Sequence, residues 1–173
     1  MADDASPAAP PPVDPARDHV RGEGPRTLLV YVNYADPRSR DVYRVAQALE
    51  ADGVPFRLCV RHLPLGDERP EALQAAVATE AAHDQGRFWD MHDLLLAAQD
   101  KLERGDLRRY AEVLALDSHA FTRGFAGDEQ LARITADVRG ALHAGATATP
   151  AVFLDGLPVT DASPEALRAA LTG

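Results

Sequence analysis

The sequence predicts an α/β fold: a mixed β-sheet flanked by helices, with an all-helical insertion between a β-α-β half and a β-β-α half. Three observations carry this expectation. An apolar run at residues 27–34 leads directly into a helical pattern with Val42, Val45, Ala46 and Leu49 on one face. A long helical stretch follows a second strand at 55–62, read from its length and flanking turns. Near the C-terminus, two short apolar runs flank Asp155-Gly156, a pair that supplies the positive φ angles of a two-residue turn.

Taken in order, residues 1–21 are rich in Pro, Ala and Asp. Such a segment buries too little apolar surface to offset its ordering entropy, so it is expected to be a disordered tail, with the folded domain at 22–173. The strand at 27–34 ends at Ala35-Asp36-Pro37. Asp36 is placed to cap the helix at 37–51, and Pro37 fills its first turn, where no N–H is needed. Asp52-Gly53 closes that helix. The strand at 55–62 ends at Leu63-Pro64-Leu65-Gly66. The insertion spans about 67–127: a helix at 70–83 with Leu73, Val77 and Ala81 on one face, a helix at 87–102, a helix at 106–116 starting near Asp106, and a short helix marked by Phe121 and Phe125. Leu131, Ile134, Val138 and Leu142 mark one more helical face. A loop at 145–150, a hairpin at 151–154 and 157–160, and a helix opened by Ser163-Pro164 complete the chain. The β-α-β unit makes its two strands parallel, and the hairpin adds antiparallel ones.

The chain has 173 residues, enough for one domain with a sizeable core. Its net charge of −9 disfavours nucleic acid and anionic membrane surfaces as partners. Cys59 is the only cysteine, so no intramolecular disulfide forms. No apolar run has the length of a membrane span, and the N-terminus lacks the apolar core of a secretory signal, so direct membrane insertion is not expected and the expected compartment is the cytoplasm. The six histidines, His19, His62, His83, His92, His119 and His143, show no metal-ligand spacing, and neither a metal nor a cofactor is expected. Phe88 and Trp89 read as core of the insertion.

Six segments together carry a resemblance: DHVRG from Asp18, TLLVYVNYADPRSR from Thr27, FRLCVRHLPL from Phe56, ATEAAHDQGRFWDMHDLLLAAQDKL from Ala78, DLRRYAEVLALD from Asp106 and GATATPAVFLDG from Gly145. In this order they resemble the DsbA-like thiol oxidoreductases, which have the thioredoxin fold. They look most like the thioredoxin-like domain carried at the C-terminus of some bacterial sodium/proton antiporters. The resemblance implies a site after the first strand, where the family keeps a Cys-Pro-X-Cys motif. Its first cysteine, under a helix N-terminus, forms a thiolate that attacks disulfides. Here those four positions read Asp36, Pro37, Arg38 and Ser39, so no thiolate forms and dithiol exchange is lost. Thr149-Pro150 matches the family's cis-proline loop, which lies against the active-site helix and offers backbone groups to a bound peptide or thiol.

The expected function is therefore a DsbA-like domain without a catalytic dithiol that binds a peptide, protein or small thiol between Asp36–Ser39 and Thr149-Pro150. Two alternatives stand beside it. One is a thiol-handling enzyme of the glutathione-transferase type, using the hydroxyl of Ser39, Tyr34 or Tyr43. The other is a regulatory module for a membrane transporter. Cys59 reads as a small buried hydrophobe, but Arg57 and Arg61 on the same strand make an activated thiol conceivable.

Overall fold

The computed structural model describes residues 8–65 and 70–173. The core unit is β2 (Arg26–Val32), the crossover helix α1 (Pro37–Ala51) and β3 (Phe56–His62). β2 and β3 are parallel, with Leu28 opposite Leu58 and Val32 opposite His62. Five helices follow: α2 (Pro70–His83), α3 (Phe88–Ala97), α4 (Arg104–Val113), α5 (Ser118–Phe125) and α6 (Asp128–His143). The chain then forms β4 (Ala151–Leu154), β5 (Leu157–Pro158) and α7 (Pro164–Thr172). β4 runs antiparallel to β2 and β5 antiparallel to β4. This is the thioredoxin fold with its helical insertion, and it explains why β2 reads as a nearly continuous apolar run while β3, though carrying Arg57, Arg61 and His62, is buried at every residue but Arg57. Both faces of a parallel pair are covered. Leu28, Val30, Val32, Leu58 and Val60 pack under α1, α2, α3 and α7, while Leu29, Tyr31, Cys59 and Phe153 face Ala141 and Ala144 of the α6 end.

The N-terminal expectation needs correction. His19–Arg21 forms a strand, β1, on the outer edge of the sheet, antiparallel to β3, with Val20 opposite Cys59. Residues 8–18 lead into it, and Arg61 holds them by donating to Pro11 O at 2.8 Å, to Pro12 O at 3.0 Å and to both Asp18 carboxylate oxygens at 2.8 and 2.7 Å. The segment is ordered by polar contacts and strand pairing, which apolar composition does not register. Residues 1–7 of the expected tail and 66–69 at the start of the expected insertion lie outside the described residues.

Helix bounds also moved. α3 stops at Ala97 and not at 102, and α4 begins at Arg104 with Glu103 in the cap position. The chain leaves α4 through Ala115 at φ 53°, so that Leu116 turns back into the core. α6 buries only the middle of the expected stripe: Ile134 is buried and Val138 packs against the core, while Leu131 is 41% and Leu142 53% exposed and Gln130, Gly140 and Ala141 are buried instead. Gly140 faces Pro11 and the Tyr31 hydroxyl so closely that a Cβ there would lie 3.0 Å from the Pro11 ring. The N-terminal segment thus packs on the Gly140 side of α6, and the two terminal leucines of the stripe stay exposed. α2 is buried nearly all round, as an Ala-rich central helix packed by α3, α5 and α6 must be. Among the described residues no helix is long and apolar enough to cross a membrane.

Candidate functional site

The site forms where β2 gives way to α1. Asn33 starts the turn: its Oδ1 accepts from Ala35 N at 2.9 Å, and its backbone oxygen accepts from Asp36 N at 3.0 Å. Gln99 Nε2 ties the loop to the insertion by donating to Tyr34 O and Asp36 O, both at 2.9 Å. Asp36 is the N-cap residue of α1, with Pro37 in the first turn, and its Oδ1 accepts from Arg38 N at 3.0 Å. Extended backbone at Asp36 aims its carboxylate at the orphan N–H groups of the helix start.

The carboxylate is fully engaged. Arg38 folds back to donate through Nε at 3.1 Å and Nη2 at 3.0 Å. Across the groove, Thr149 Oγ1 donates to Asp36 Oδ2 at 2.7 Å. The Thr149-Pro150 peptide bond is cis. The structure therefore brings Asp36, Arg38, Thr149 and Pro150 together. Partial burial opposes ionisation of Asp36, but the hydrogen bonds from Arg38 and Thr149 outweigh it and hold the carboxyl below its ordinary range. Ser39, the fourth motif position, is fully buried under the turn, with its Oγ accepting from Asn33 N at 3.1 Å. Thr147 and Ala148 are exposed beside the groove. Among the described residues no hydrogen bond takes up the Thr149 backbone N–H or C=O.

The hydroxyl chemistry weighed from the sequence does not fit this geometry. Ser39, Tyr34 and Tyr43 are all buried. The Tyr34 hydroxyl pairs with His92 Nδ1 at 2.7 Å, and Tyr43 donates to Asp93. Burial pushes both phenol pKa values up, the reverse of activation. A reactive Cys59 is also corrected. The thiol is fully buried on the α6 face of the sheet, and burial raises its pKa despite Arg61 nearby. The guanidinium of Arg61 is committed to Asp18 and the N-terminal segment.

One constellation escaped the sequence reading, which looked only for ligand spacing along the chain. His19 of β1, His62 of β3 and Glu80 of α2 meet beneath the sheet edge, all buried. Glu80 Oε1 lies 2.6 Å from His19 Nε2 and 2.8 Å from His62 Nε2, and Glu80 Oε2 accepts from Arg133 Nη1 at 3.0 Å. Burial penalises the Glu80 charge, but the two imidazoles override it and keep the carboxyl ionised. Burial alone would lower His62, yet its hydrogen bond to Glu80 carries it upward, whereas burial wins at His19. Only the folded chain brings residues 19, 62 and 80 together.

Comparison with known proteins agrees with this architecture. A family model described as thioredoxin matches residues 19–172. The Na(+)/H(+) antiporter NhaA 3 of Salinispora tropica is 45% identical over 147 residues, covering 84% of this chain and 22% of the antiporter. The Na(+)/H(+) antiporter NhaA of Herminiimonas arsenicoxydans is 37% identical over 149 residues, with 84% and 24% covered. The chain thus spans under a quarter of the length of these relatives. A thioredoxin-like oxidoreductase from Silicibacter pomeroyi superposes with a TM-score of 0.80 at 25% identity, over 92% of this chain and 91% of that one. Oxidised BdbD from Bacillus subtilis also superposes at 0.80, with 16% identity and 95% and 96% coverage, a likeness of fold alone. By fold, matched length and similarity to the antiporter-linked segments, the chain belongs to the DsbA-like thioredoxin-fold family.

Proposed function

We propose that the chain is a DsbA-like domain that binds an extended peptide or protein segment without exchanging disulfides. One observation carries this reading: the Asp36 carboxylate, fixed by Arg38 and Thr149, stands at the helix N-terminus where the family places its attacking thiol. Such a carboxylate has no redox chemistry, and the buried Ser39 cannot replace the second thiol. What survives is a shelf. The Thr149 backbone offers an N–H and a C=O to an extended segment laid beside Pro150, as in strand addition to an open edge. A small thiol would meet a hydrogen-bonded carboxylate instead of a sulfur, so a peptide or protein is the favoured occupant.

The likeness to antiporter segments supports a second, compatible layer. The protein that supplies the bound segment is a membrane transporter of that kind, and the domain acts on it as a regulatory module. Cytoplasmic placement belongs to the same proposal.

The test uses the full chain. Insulin reduction is measured beside a dithiol enzyme, and amide NMR shifts are followed during titration with a carboxymethylated, unfolded model protein. The expected result is no turnover, with shifts clustered at residues 36–39 and 147–151. Turnover comparable to the dithiol enzyme, or shifts that avoid both clusters, would overturn the proposal.

A further inference from the structure

We propose that His19, His62 and Glu80 form a binding site for a divalent transition-metal ion of the zinc class, seated among His19 Nε2, His62 Nε2 and Glu80 Oε1. The three ligand atoms lie within 4.8 Å of one another, and the side chains come from three elements, β1, β3 and α2. Two imidazoles and one carboxylate are a donor set that suits zinc and its neighbours and leaves a position open for water.

The surroundings support an ion. Arg133 occupies Glu80 Oε2, which leaves Oε1 to face the two imidazoles and orients the carboxylate as a metal ligand is usually oriented. Arg133 does not bring an uncompensated charge, because Asp84 at 3.2 Å and Glu129 at 3.0 Å pair with it. The His19 ring is stacked on Phe88, with centroids 3.5 Å apart, so its direction is set before an ion arrives. A cleft lies beside the cluster. His83, in edge contact with His19 at 4.7 Å, lines an open cleft of about 630 Å³ together with Asp14, Asp18, Arg133 and Asp137. Its charges are balanced, with Asp14, Asp18 and Asp137 set against Arg17, Arg61 and Arg133.

In the hydrogen-bonded network each imidazole donates Nε2–H to Glu80. Zinc–nitrogen and zinc–oxygen bonds of about 2.0–2.2 Å require the three donors to spread from their present contacts, with each imidazole proton moving to Nδ1. His62 Nδ1 has no hydrogen-bond partner among the described residues. That missing partner makes the site about 10–100-fold weaker than one in which both ring nitrogens are supported. Binding joins the N-terminal strand to the insertion through the sheet edge, so the ion also stabilises the fold.

The experiment strips the full chain with EDTA and titrates it with zinc chloride by calorimetry and cobalt chloride by visible absorption. Imidazole ¹⁵N shifts are followed in parallel. The expected result is one ion per chain, movement of the His19 and His62 resonances, and a Tm raised by about 5 °C at saturating zinc. His19→Gln and Glu80→Gln each weaken binding at least about tenfold. If Glu80→Gln does not fold, His19→Gln at the sheet edge and the wild-type NMR titration decide. No binding at about 100 μM ion, shifts confined to His83, His119 and His143, or equal affinity in a folded His19→Gln variant each overturn the proposal.

Discussion

Asp36 accepts four hydrogen bonds, three from Arg38 and one from Thr149. Replacing it by Ala removes an N-cap, worth about 1 kcal/mol, and strands the buried Thr149 hydroxyl, for a combined loss of about 2 kcal/mol. Asp36→Asn keeps an acceptor for Thr149 but drops the charge that faces the helix dipole and Arg38, and costs under about 1 kcal/mol. The sign of the pH dependence follows from the lowered carboxyl. Its stabilisation is present above the unfolded-state value and fades as pH falls through the folded one. Urea titrations should therefore show wild type ahead of Asp36→Asn at neutral pH, with the gap closing as pH drops below about 4. Cys59 makes the opposite kind of prediction. Its thiol is sealed between Leu29, Tyr31 and Phe153 on the sheet's α6 face, so a thiol reagent must wait for the domain to open. Labelling of native protein should proceed at the unfolding rate and become immediate in denaturant. Fast labelling of the folded chain would show that this face opens locally.

At the scale of elements, the N-terminal segment is the part whose attachment is most specific. Arg61 is 5% exposed and finds all its partners in Asp18, Pro11, Pro12 and Tyr31. Removing one member of a buried pair leaves an uncompensated charge, so Asp18→Ala should lose about 3 kcal/mol in denaturant unfolding. Arg61→Met combined with Asp18→Ala should lose clearly less than the sum of the two single changes, because the orphaned charge is gone. The same segment marks the limit of sequence reading. α1 and α7 were legible because their caps are local: Asp36 with Pro37, and Ser163 with Pro164, whose Oγ accepts from Ala166 N at 3.3 Å. The Asp155-Gly156 turn was legible for the same reason, with φ of 49° and 84° at its two residues. β1 was not. Three residues carry no period, and what makes them a strand is β3, which lies some forty positions away. The α6 face was read half correctly: Ile134 and Val138 meet the core, but packing against Pro11 and Tyr31 at Gly140 leaves Leu131 and Leu142 exposed. The His19, His62 and Glu80 cluster has no local signal at all.

On the proposed reading, the molecule as a whole keeps the positions of a thiol oxidoreductase and changes the atoms in them. If the replacement at positions 36 and 39 is the sole chemical loss, restoring the atoms should restore the chemistry. Ser39 N donates to Asp36 O at 3.0 Å, so the two positions already sit one helical turn apart at the start of α1. A thiolate introduced at 36 would inherit the N–H groups of the helix start, the Arg38 guanidinium and the Thr149 hydroxyl, all of which now favour a negative charge there. Those groups depress a thiol pKa to about 7 or below. A thiol at 39 would occupy the buried place of the Ser39 hydroxyl, losing its acceptance from Asn33 N at a cost of about 1 kcal/mol. The double variant Asp36→Cys with Ser39→Cys should therefore fold, oxidise to a reversible disulfide and reduce insulin, while either single variant supplies a thiol without a partner and turns over nothing. Thiol titration of the double variant against pH reads the depressed pKa directly. A double variant that folds and forms the disulfide yet fails to reduce insulin would locate the loss in the groove beside Pro150, and the binding shelf itself would then have to be reconsidered.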